Sequence, residues 1–451
     1  MCIRDRQAGD WQDDTGGDHS GDYGSRSVGI IASTHDDFYF GTYDDAGNML
    51  TNPVAFMETD GAKKFLNFNE DGFAGIAEGG KYYTRDFDGK TAYRVIYRPN
   101  MIHPLVAFST TCVGYAVDFF DTTLGAPKPL PASDQIWPIK AVFNSLGVIG
   151  LLIFMVSFTL VLLDTPVFSA LRSGEIVQPA PVQDSGAKAW YWVLLIIGAV
   201  FSGSSFLFCM NTVYSKTTNF FVQTGPLTIG TWAALCGIFA IFCSAVFYGA
   251  YGKKHGWSAR RAGLYLNLEQ LWKTIALAVI VIVVSFGLVF AAHYFFQVDY
   301  RMYVVAFKTF GADKVLIALR YLPFFLLFYV MNSISANCFN YNTIGGKNGN
   351  ILIFAFFNAL GAIFVVASQY IYFYTTGYQL YGLTEGQRIG PIWLFPCMVL
   401  LFVTPIMSRI IYKRTRNPYI AGLINAMFIV MISCSNTTTI LGGGELIATT
   451  F

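Results

Sequence analysis

His103 and the acidic pair Asp36 and Asp37 are the side chains whose types and sequence context best suit proton-transfer chemistry. An imidazole titrates near neutral pH, so it can accept and return a proton, and a neighbouring carboxylate orients the ring and stabilises its protonated form. A lone histidine commonly has a structural or surface role instead, and that alternative stays open. The pattern predicts a general base at His103 if the fold brings an acidic residue to its ring.

Three predicted elements would position these residues. The apolar, β-branched run Ser27–Thr34 is typical of a short buried strand, and the acidic pair follows its carboxyl end, where open α/β sheets place their sites. Two alternating runs, Lys81–Phe87 and Thr91–Tyr97, flank an Asp-Gly pair that favours a tight hairpin turn. Apolar spacings of three, four and seven in Leu105–Asp121 indicate an amphipathic helix packed on the sheet. The candidate histidine would lie between a strand and this helix.

The order of strand, acidic pair, strand, loop, histidine and helix resembles the closing part of an α/β-hydrolase, whose triad runs serine, acid, histidine along the chain. The residues that carry the likeness are STHDDFYF at 33–40, YRPNMIHPLVAFS at 97–109 and VDFFDTTLGAP at 117–127. The similar part extends from about Val28 to Leu163. The resemblance is to bacterial hydrolases fused to a multi-span membrane domain.

This resemblance implies a role for each candidate residue. Asp36 would be the triad acid that orients His103, and Asp37 is the alternative acid. His103 would be the general base for a serine nucleophile. The parent enzyme would hydrolyse a small-molecule ester, thioester or amide through an acyl-enzyme, without a cofactor.

The chain departs from this family where the nucleophile should be. No G-x-S-x-G motif occurs in the 451 residues, so there is no nucleophile elbow. His19-Ser20-Gly21 imitates its core but lacks a glycine two residues before the serine and an apolar strand behind it. The first five or so strands of the family's sheet are also missing. We therefore expect a C-terminal portion of a longer enzyme, inactive alone, and the opening MCIRDR looks like an assembly artefact.

A second motif has the spacing of a calcium-binding loop. Asn67, Asn69 and Asp71 alternate before Gly72, and Glu78 stands where a bidentate ligand would be. Asn replaces the usual first Asp, and two glycines stand where the exit helix should begin. A polar turn is therefore the simpler interpretation, and no metal site is predicted.

Composition indicates that most of the chain is embedded in a membrane. Only 13% of the residues are charged, whereas soluble proteins average about 25%. Residues 1–139 hold 11 Lys and Arg against 20 Asp and Glu, whereas residues 140–451 hold 19 against 8. The acidic N-terminal part and the basic C-terminal part therefore serve different environments. The basic residues are interpreted as topology signals, and no nucleic-acid partner is predicted.

The predicted fold is an α-helical polytopic membrane protein preceded by a partial, α/β-hydrolase-like domain. The predicted division is a disordered loop or artefactual start at 1–26, the hydrolase-like part at 27–124, a proline-rich linker at 125–136 and a transmembrane domain at 137–451. Eight apolar runs are long enough to span a bilayer. They are Ala141–Leu163, Ala189–Val213, Pro226–Gly249, Thr274–Phe296, Val315–Ile334, Ile351–Tyr374, Ile389–Ser408 and Ile420–Ile440.

The loops between these runs suggest an orientation. Placing the loops with more Lys and Arg in the cytoplasm puts twelve basic residues inside and seven outside, as the positive-inside rule prefers. An even number of spans then places both termini outside. We expect a multi-pass protein of the bacterial inner membrane, in contact with lipid, whose acidic N-terminal domain is extracytoplasmic.

A cluster of four asparagines near the cytoplasmic end of one span is a possible intramembrane polar site. Asn332, Asn337, Asn340 and Asn342 would be costly in lipid unless they face other helices or a water-filled cavity. An interfacial loop with interhelical hydrogen bonding is the simpler interpretation. A multi-pass transporter or permease subunit is therefore the main alternative function, and a non-catalytic anchor whose external module binds a partner is a third.

Overall fold

The structure, a computed structural model, describes residues 2–4, 23–43, 49–125, 128, 130–303, 305–382 and 384–440. Most of the predicted N-terminal loop, including Ser20, lies outside these residues. The chain forms two compact units, one from residues 1–140 and 366–392 and the other from 141–365 and 393–451. Residues 366–392, which the sequence division assigned to the membrane domain, thus cluster with the N-terminal residues.

The first unit is built on a small four-stranded sheet. The strands of this unit are Cys2–Arg4 (β1), Val28–Ile31 (β2), Thr42–Tyr43 (β3), Met49–Thr51 (β4), Tyr83–Phe87 (β5) and Lys90–Tyr97 (β6). The sheet has the order β1-β2-β6-β5, with parallel pairing of β2 to β1 and β6 and antiparallel pairing of β5 to β6. The short strands β3 and β4 pair separately. The predicted buried strand and hairpin are confirmed, whereas sheets of this size do not by themselves show a hydrolase fold.

Local sequence signals account for the turn and the helix starts of this unit. Asp88 and Gly89 both have positive φ, as the tight hairpin between β5 and β6 requires. A 3₁₀ helix, Pro53–Glu58, starts where Asn52 accepts a hydrogen bond from the Ala55 N–H. Three further helices follow, Asp60–Leu66 (α1), His103–Val106 (α2) and Thr110–Leu124 (α3).

The packing of α3 on the sheet uses a strand residue without a side chain. A Cβ added at Gly29 in β2 would lie only 3.0 Å from the ring of Phe119, which is fully buried in α3. The glycine therefore lets the helix approach the strand that precedes the acidic pair.

Eight helices are long and apolar enough to cross a membrane, which confirms the predicted number of spans among the described residues. Each begins before its predicted start because interfacial residues extend the helices, whereas the last helix ends at Ser435, before the predicted Ile440. They are Trp137–Leu163 (α4), Ser185–Thr212 (α5), Thr224–Phe247 (α6), Leu268–Phe296 (α7), Ala312–Ile334 (α8), Gly346–Thr376 (α9), Glu385–Thr415 (α10) and Pro418–Ser435 (α11). One π-helical turn extends α6 to Gly252 and another extends α8 to Phe339, and a short hairpin of Tyr300–Met302 (β7) and Val305–Phe307 (β8) precedes α8.

Glycines bring several of these helices into backbone contact. A Cβ added at Gly361 in α9 would lie 2.5 Å from the carbonyl oxygen of Ala199 and 2.8 Å from the amide nitrogen of Gly203, both in α5. A Cβ at Gly422 in α11 would similarly lie 2.8 Å from the Cα of Val330 in α8. Small residues at such crossings allow the close van der Waals packing that drives helix association in lipid.

We expect Gly361→Val to destabilise the protein by about 1–3 kcal/mol, because the added side chain would overlap backbone atoms of α5. The measurement is the thermal unfolding midpoint of the full chain in detergent. Gly287→Val in α7 is the control, because nothing lies within 4 Å of a Cβ at Gly287. Equal midpoints for the two variants would contradict the close α5–α9 contact.

Candidate functional site

The side chains of Asp36 and His103, predicted from the sequence as an acid and a base, lie in direct contact. The Oδ2 atom of Asp36 is 3.0 Å from Nδ1 of His103. The Asp36 side chain is 2% exposed and that of His103 is 27% exposed, so the acid is buried behind a ring that solvent can reach. With Nδ1 facing the carboxylate, Nε2 is the ring nitrogen on the opposite side of the imidazole from Asp36.

The acidic side chain is held by the turn that follows β2. The second carboxylate oxygen of Asp36, Oδ1, accepts hydrogen bonds from the main-chain N–H groups of Phe38 (2.9 Å) and Tyr39 (2.8 Å). Such a turn is a local consequence of an aspartate whose side chain reaches the backbone two and three residues later. It fixes the direction in which Oδ2 faces the imidazole.

The parallel pairing of β2 with β6 brings the two loops together. Beyond the strands, the Thr34 N–H donates to the Pro99 carbonyl at 3.0 Å, and His35 forms a parallel bridge with Ile102. Pairing therefore continues to the residues that immediately precede Asp36 and His103. The two candidates, 67 positions apart in sequence, leave the same edge of the sheet.

Asp37 holds the main chain of the histidine rather than its ring. Its Oδ2 accepts a hydrogen bond from the His103 N–H at 3.2 Å, and the side chain is fully buried. Burial, and secondarily the charge of Asp36, raises the pKa of Asp37 to about 8. Between the two candidate acids, the geometry therefore favours Asp36 as the partner of the imidazole.

Aromatic side chains form the surroundings of the imidazole. The ring centroids of Phe38 and Tyr39 lie 5.9 and 5.3 Å from that of His103, in edge-on arrangements. Both residues also donate the backbone hydrogen bonds that hold Asp36. The aromatic rings occupy space around the Asp36–His103 contact that water would otherwise fill, which strengthens its electrostatic interaction.

Residues from the end of α9 and the following loop complete the first unit around the acidic pair. Gln379 donates a hydrogen bond from Nε2 to the Asp37 carbonyl at 2.7 Å. The His35 ring lies 4.4 Å from that of Tyr374 and 5.3 Å from that of Phe373. The Tyr370 hydroxyl faces the Asp37 carboxyl and offsets part of the rise in its pKa.

Sequence reasoning missed these α9 residues. They follow the acidic pair by more than 330 positions, and tyrosines at the end of an apolar run are typical of any membrane interface. No local signal distinguishes a tyrosine that packs against a buried carboxyl group from one that faces lipid headgroups.

The four residues of the calcium-loop motif make contacts typical of a polar turn. The Asn67 amide donates to the carbonyl oxygens of Glu70 and Asp71, and Glu78 forms an ion pair with Lys81. Asn69 has a positive φ, and Asp71 lies in the exposed part of the turn. Among the described residues, no group of three or more His, Cys, Asp or Glu side chains is arranged to hold a metal ion.

Two asparagines of the predicted intramembrane site, Asn337 and Asn342, belong to a buried network around Arg409 in α10. The guanidinium donates to Oδ1 of Asn337 at 2.8 Å, to Oδ1 of Asn350 at 3.0 Å and to the Ala336 carbonyl. The Asn350 amide in turn donates to Oδ1 of Asn342 at 3.1 Å. The network thus joins α8, α9 and α10 through an arginine whose position in the sequence indicates only a topology signal.

The other two asparagines make separate contacts. Asn332 donates to Oδ1 of Asn358 in α9 at 2.6 Å, whereas Asn340 donates to the Ser335 carbonyl of its own turn at 2.8 Å. Hydrogen bonding between helices therefore accounts for Asn332, Asn337 and Asn342, and local capping accounts for Asn340.

Asp37 should make the stability of the first unit fall as pH rises. The folded state retains its proton up to about pH 8, whereas the unfolded state loses it near pH 4, so folding is progressively disfavoured between these values. In the unsubstituted chain this lowers the free energy of unfolding by up to about 1.4 kcal/mol per pH unit. Asp37→Asn should remove that dependence, so its stabilising effect should be largest at pH 8. Hydrogen exchange of β2 and β6 in the full chain between pH 5 and 8 measures this.

The matched control is Asp88→Asn in the exposed hairpin turn, where asparagine also tolerates the positive φ. It should keep the pH dependence of the unsubstituted chain. If Asp37→Asn gives the same pH slope as this control, the buried carboxyl group is not protonated in the folded state.

Comparisons of the chain with models of known protein families, with curated proteins and with solved structures find no match. The eight apolar helices are compatible with a multi-pass membrane protein. The functional assignment therefore depends on the geometry around Asp36 and His103.

Proposed function

We propose that the first unit carries the acid and the base of a serine-hydrolase-type site that cleaves an ester, thioester or amide. The observation that supports this most directly is the 3.0 Å contact between Oδ2 of Asp36 and Nδ1 of His103. A buried carboxylate that binds Nδ1–H holds the imidazole in the tautomer whose Nε2 can accept a proton. The two main-chain hydrogen bonds to Oδ1 of Asp36 keep the acid in that position.

In this mechanism His103 removes the proton of a nucleophilic hydroxyl as it attacks the substrate carbonyl. The imidazolium then returns the proton to the leaving group, and the Asp36 carboxylate stabilises the positive ring without taking its proton. Asp37, whose pKa is about 8, is mostly uncharged at pH 7. It therefore anchors the His103 main chain without placing a second negative charge beside the first.

In this mechanism the nucleophile is a serine outside these 451 residues, because none of them forms a G-x-S-x-G elbow. The chain alone would then supply the acid and the base but would form no acyl-enzyme. The proposed setting is the outer face of a bacterial inner membrane, where the positive-inside rule puts the N-terminal part. Six predicted spans separate Asp37 from Gln379, and an even number of spans returns the chain to the side of the membrane that it left. The hydrogen bond between the two residues is consistent with this topology.

The experiment is fluorophosphonate labelling of the genomic reading frame that contains these residues, expressed in membranes. We expect one labelled serine, in a G-x-S-x-G context. Asp36→Asn and His103→Ala should each slow labelling about a thousandfold or more, because the serine loses its oriented base. Asp88→Asn in the exposed hairpin is the matched control and should label at the unsubstituted rate.

Two results would overturn the proposal. One is a reading frame that labels no serine while hydrogen exchange shows the first unit folded. The other is labelling that survives His103→Ala at the control rate, which would leave the histidine with a structural role only.

The second candidate, a transporter or permease subunit, is favoured by the buried network of Arg409, Asn337 and Asn350. Ionisable side chains inside a membrane domain commonly mark substrate or ion paths. This candidate predicts solute flux across proteoliposomes that Asn337→Ala or Asn340→Ala reduces, with no labelled serine. The two candidates therefore differ in the labelling experiment itself.

A further inference from the structure

A cavity of about 590 Å³ lies within the second unit, among α5, α6, α8 and α9. This volume falls in the range of small-molecule and cofactor sites. At mid-helix positions the lining is mainly apolar and aromatic, with Leu194, Phe201, Phe239 and Phe357 among its members. The two asparagines of this part, Asn332 and Asn358, hydrogen-bond each other, so an apolar chain fits beside them.

The other end of the cavity is polar and basic. It is lined by His255 and Arg261, which follow α6, and by Asn340 and Asn342, which follow α8. No Asp or Glu occurs among the lining residues. Asp184, near the start of α5, uses both carboxylate oxygens to accept the N–H groups at the beginning of that helix.

A buried cation adds to the positive charge at this end. The Arg409 guanidinium lies 4.0 Å from the ring centroid of Tyr341, a lining residue, and is 1% exposed. Its hydrogen-bond acceptors are the neutral groups of Asn337, Asn350 and Ala336. Because neutral acceptors do not cancel a charge, this end of the cavity has a positive potential.

We infer that this cavity binds one membrane amphiphile with an anionic, phosphate-bearing headgroup. The acyl chain lies among the aromatic side chains of α5, α6 and α9, and the phosphate lies at the basic end near Arg261. The charge of the lining selects the headgroup, and the apolar part excludes a free anion as the preferred occupant. This site is independent of the proposed hydrolase chemistry, which uses residues of the first unit.

The first test fills the cavity sterically. Gly198 in α5 lines the cavity, and nothing lies within 4 Å of a Cβ built on it, so Gly198→Phe places a ring in open space. Gly150→Phe in α4 is the matched control, because that glycine also has open space around it but does not line the cavity. Native mass spectrometry of the full chain in detergent with palmitoyl-oleoyl phosphatidylglycerol counts the lipids retained.

The second test addresses the headgroup. Arg261→Gln removes the lining cation, and Arg260→Gln removes an exposed neighbour that does not line the cavity. Phosphatidylglycerol and phosphatidylcholine of the same acyl composition compete for binding to each variant. Glycerol phosphate is added in a separate sample to test whether a soluble anion alone occupies the site. Arg261→Gln lies in a loop, so it tests the inference even if Gly198→Phe prevents folding.

The unsubstituted chain should retain one phosphatidylglycerol in preference to phosphatidylcholine. Gly198→Phe should reduce retention about tenfold or more, and Arg261→Gln should reduce the preference roughly tenfold, while both controls match the unsubstituted chain. Three results would each overturn the inference. They are equal retention by Gly198→Phe and Gly150→Phe, no headgroup preference in the unsubstituted chain, and displacement of the lipid by glycerol phosphate.

Discussion

The parallel pairing of β2 with β6 is the contact on which the candidate site depends. A strand pair in register sends both chains out at the same edge, so the residues that follow each strand meet. Here the pairing continues through the Thr34–Pro99 hydrogen bond and the His35–Ile102 bridge. One residue further along each strand, the carboxylate and the imidazole touch. A slip of one residue would turn these side chains to opposite faces.

Adjacent carboxyl groups at this edge create an electrostatic problem that the fold solves asymmetrically. The Asp36 carboxylate receives two main-chain hydrogen bonds and the imidazole. Asp37 accepts the His103 N–H and faces the Tyr370 hydroxyl, but its burial beside a charged neighbour outweighs these contacts and favours its protonated form. The result is one charge facing the ring and one neutral carboxyl group anchoring the main chain. The Tyr370 hydroxyl in α9 faces that neutral group, and Gln379 in the following loop donates to the main-chain carbonyl of Asp37.

The second unit solves a different problem, a buried arginine among apolar helices. Amide and carbonyl oxygens accept one hydrogen bond from each of its three nitrogens but leave its charge uncompensated. A buried, uncompensated charge costs free energy, so proteins retain one where it joins helices or attracts a ligand of opposite charge. Arg409 joins α8, α9 and α10. The positive end of the nearby cavity is suited to an anionic ligand.

The sequence by itself determined the eight apolar helices, the β5–β6 hairpin and the buried strand before the acidic pair, because hydrophobic periodicity and turn chemistry are local. It also proposed Asp36 and His103 together, although only through a family resemblance. Tertiary structure decided which aspartate meets the ring, since strand register and one Asx turn set the direction of each side chain. It alone brought Gln379 and Tyr370 to Asp37, and Arg409 to Asn337 and Asn350. Contacts between residues so far apart depend on helix packing, which no local pattern encodes.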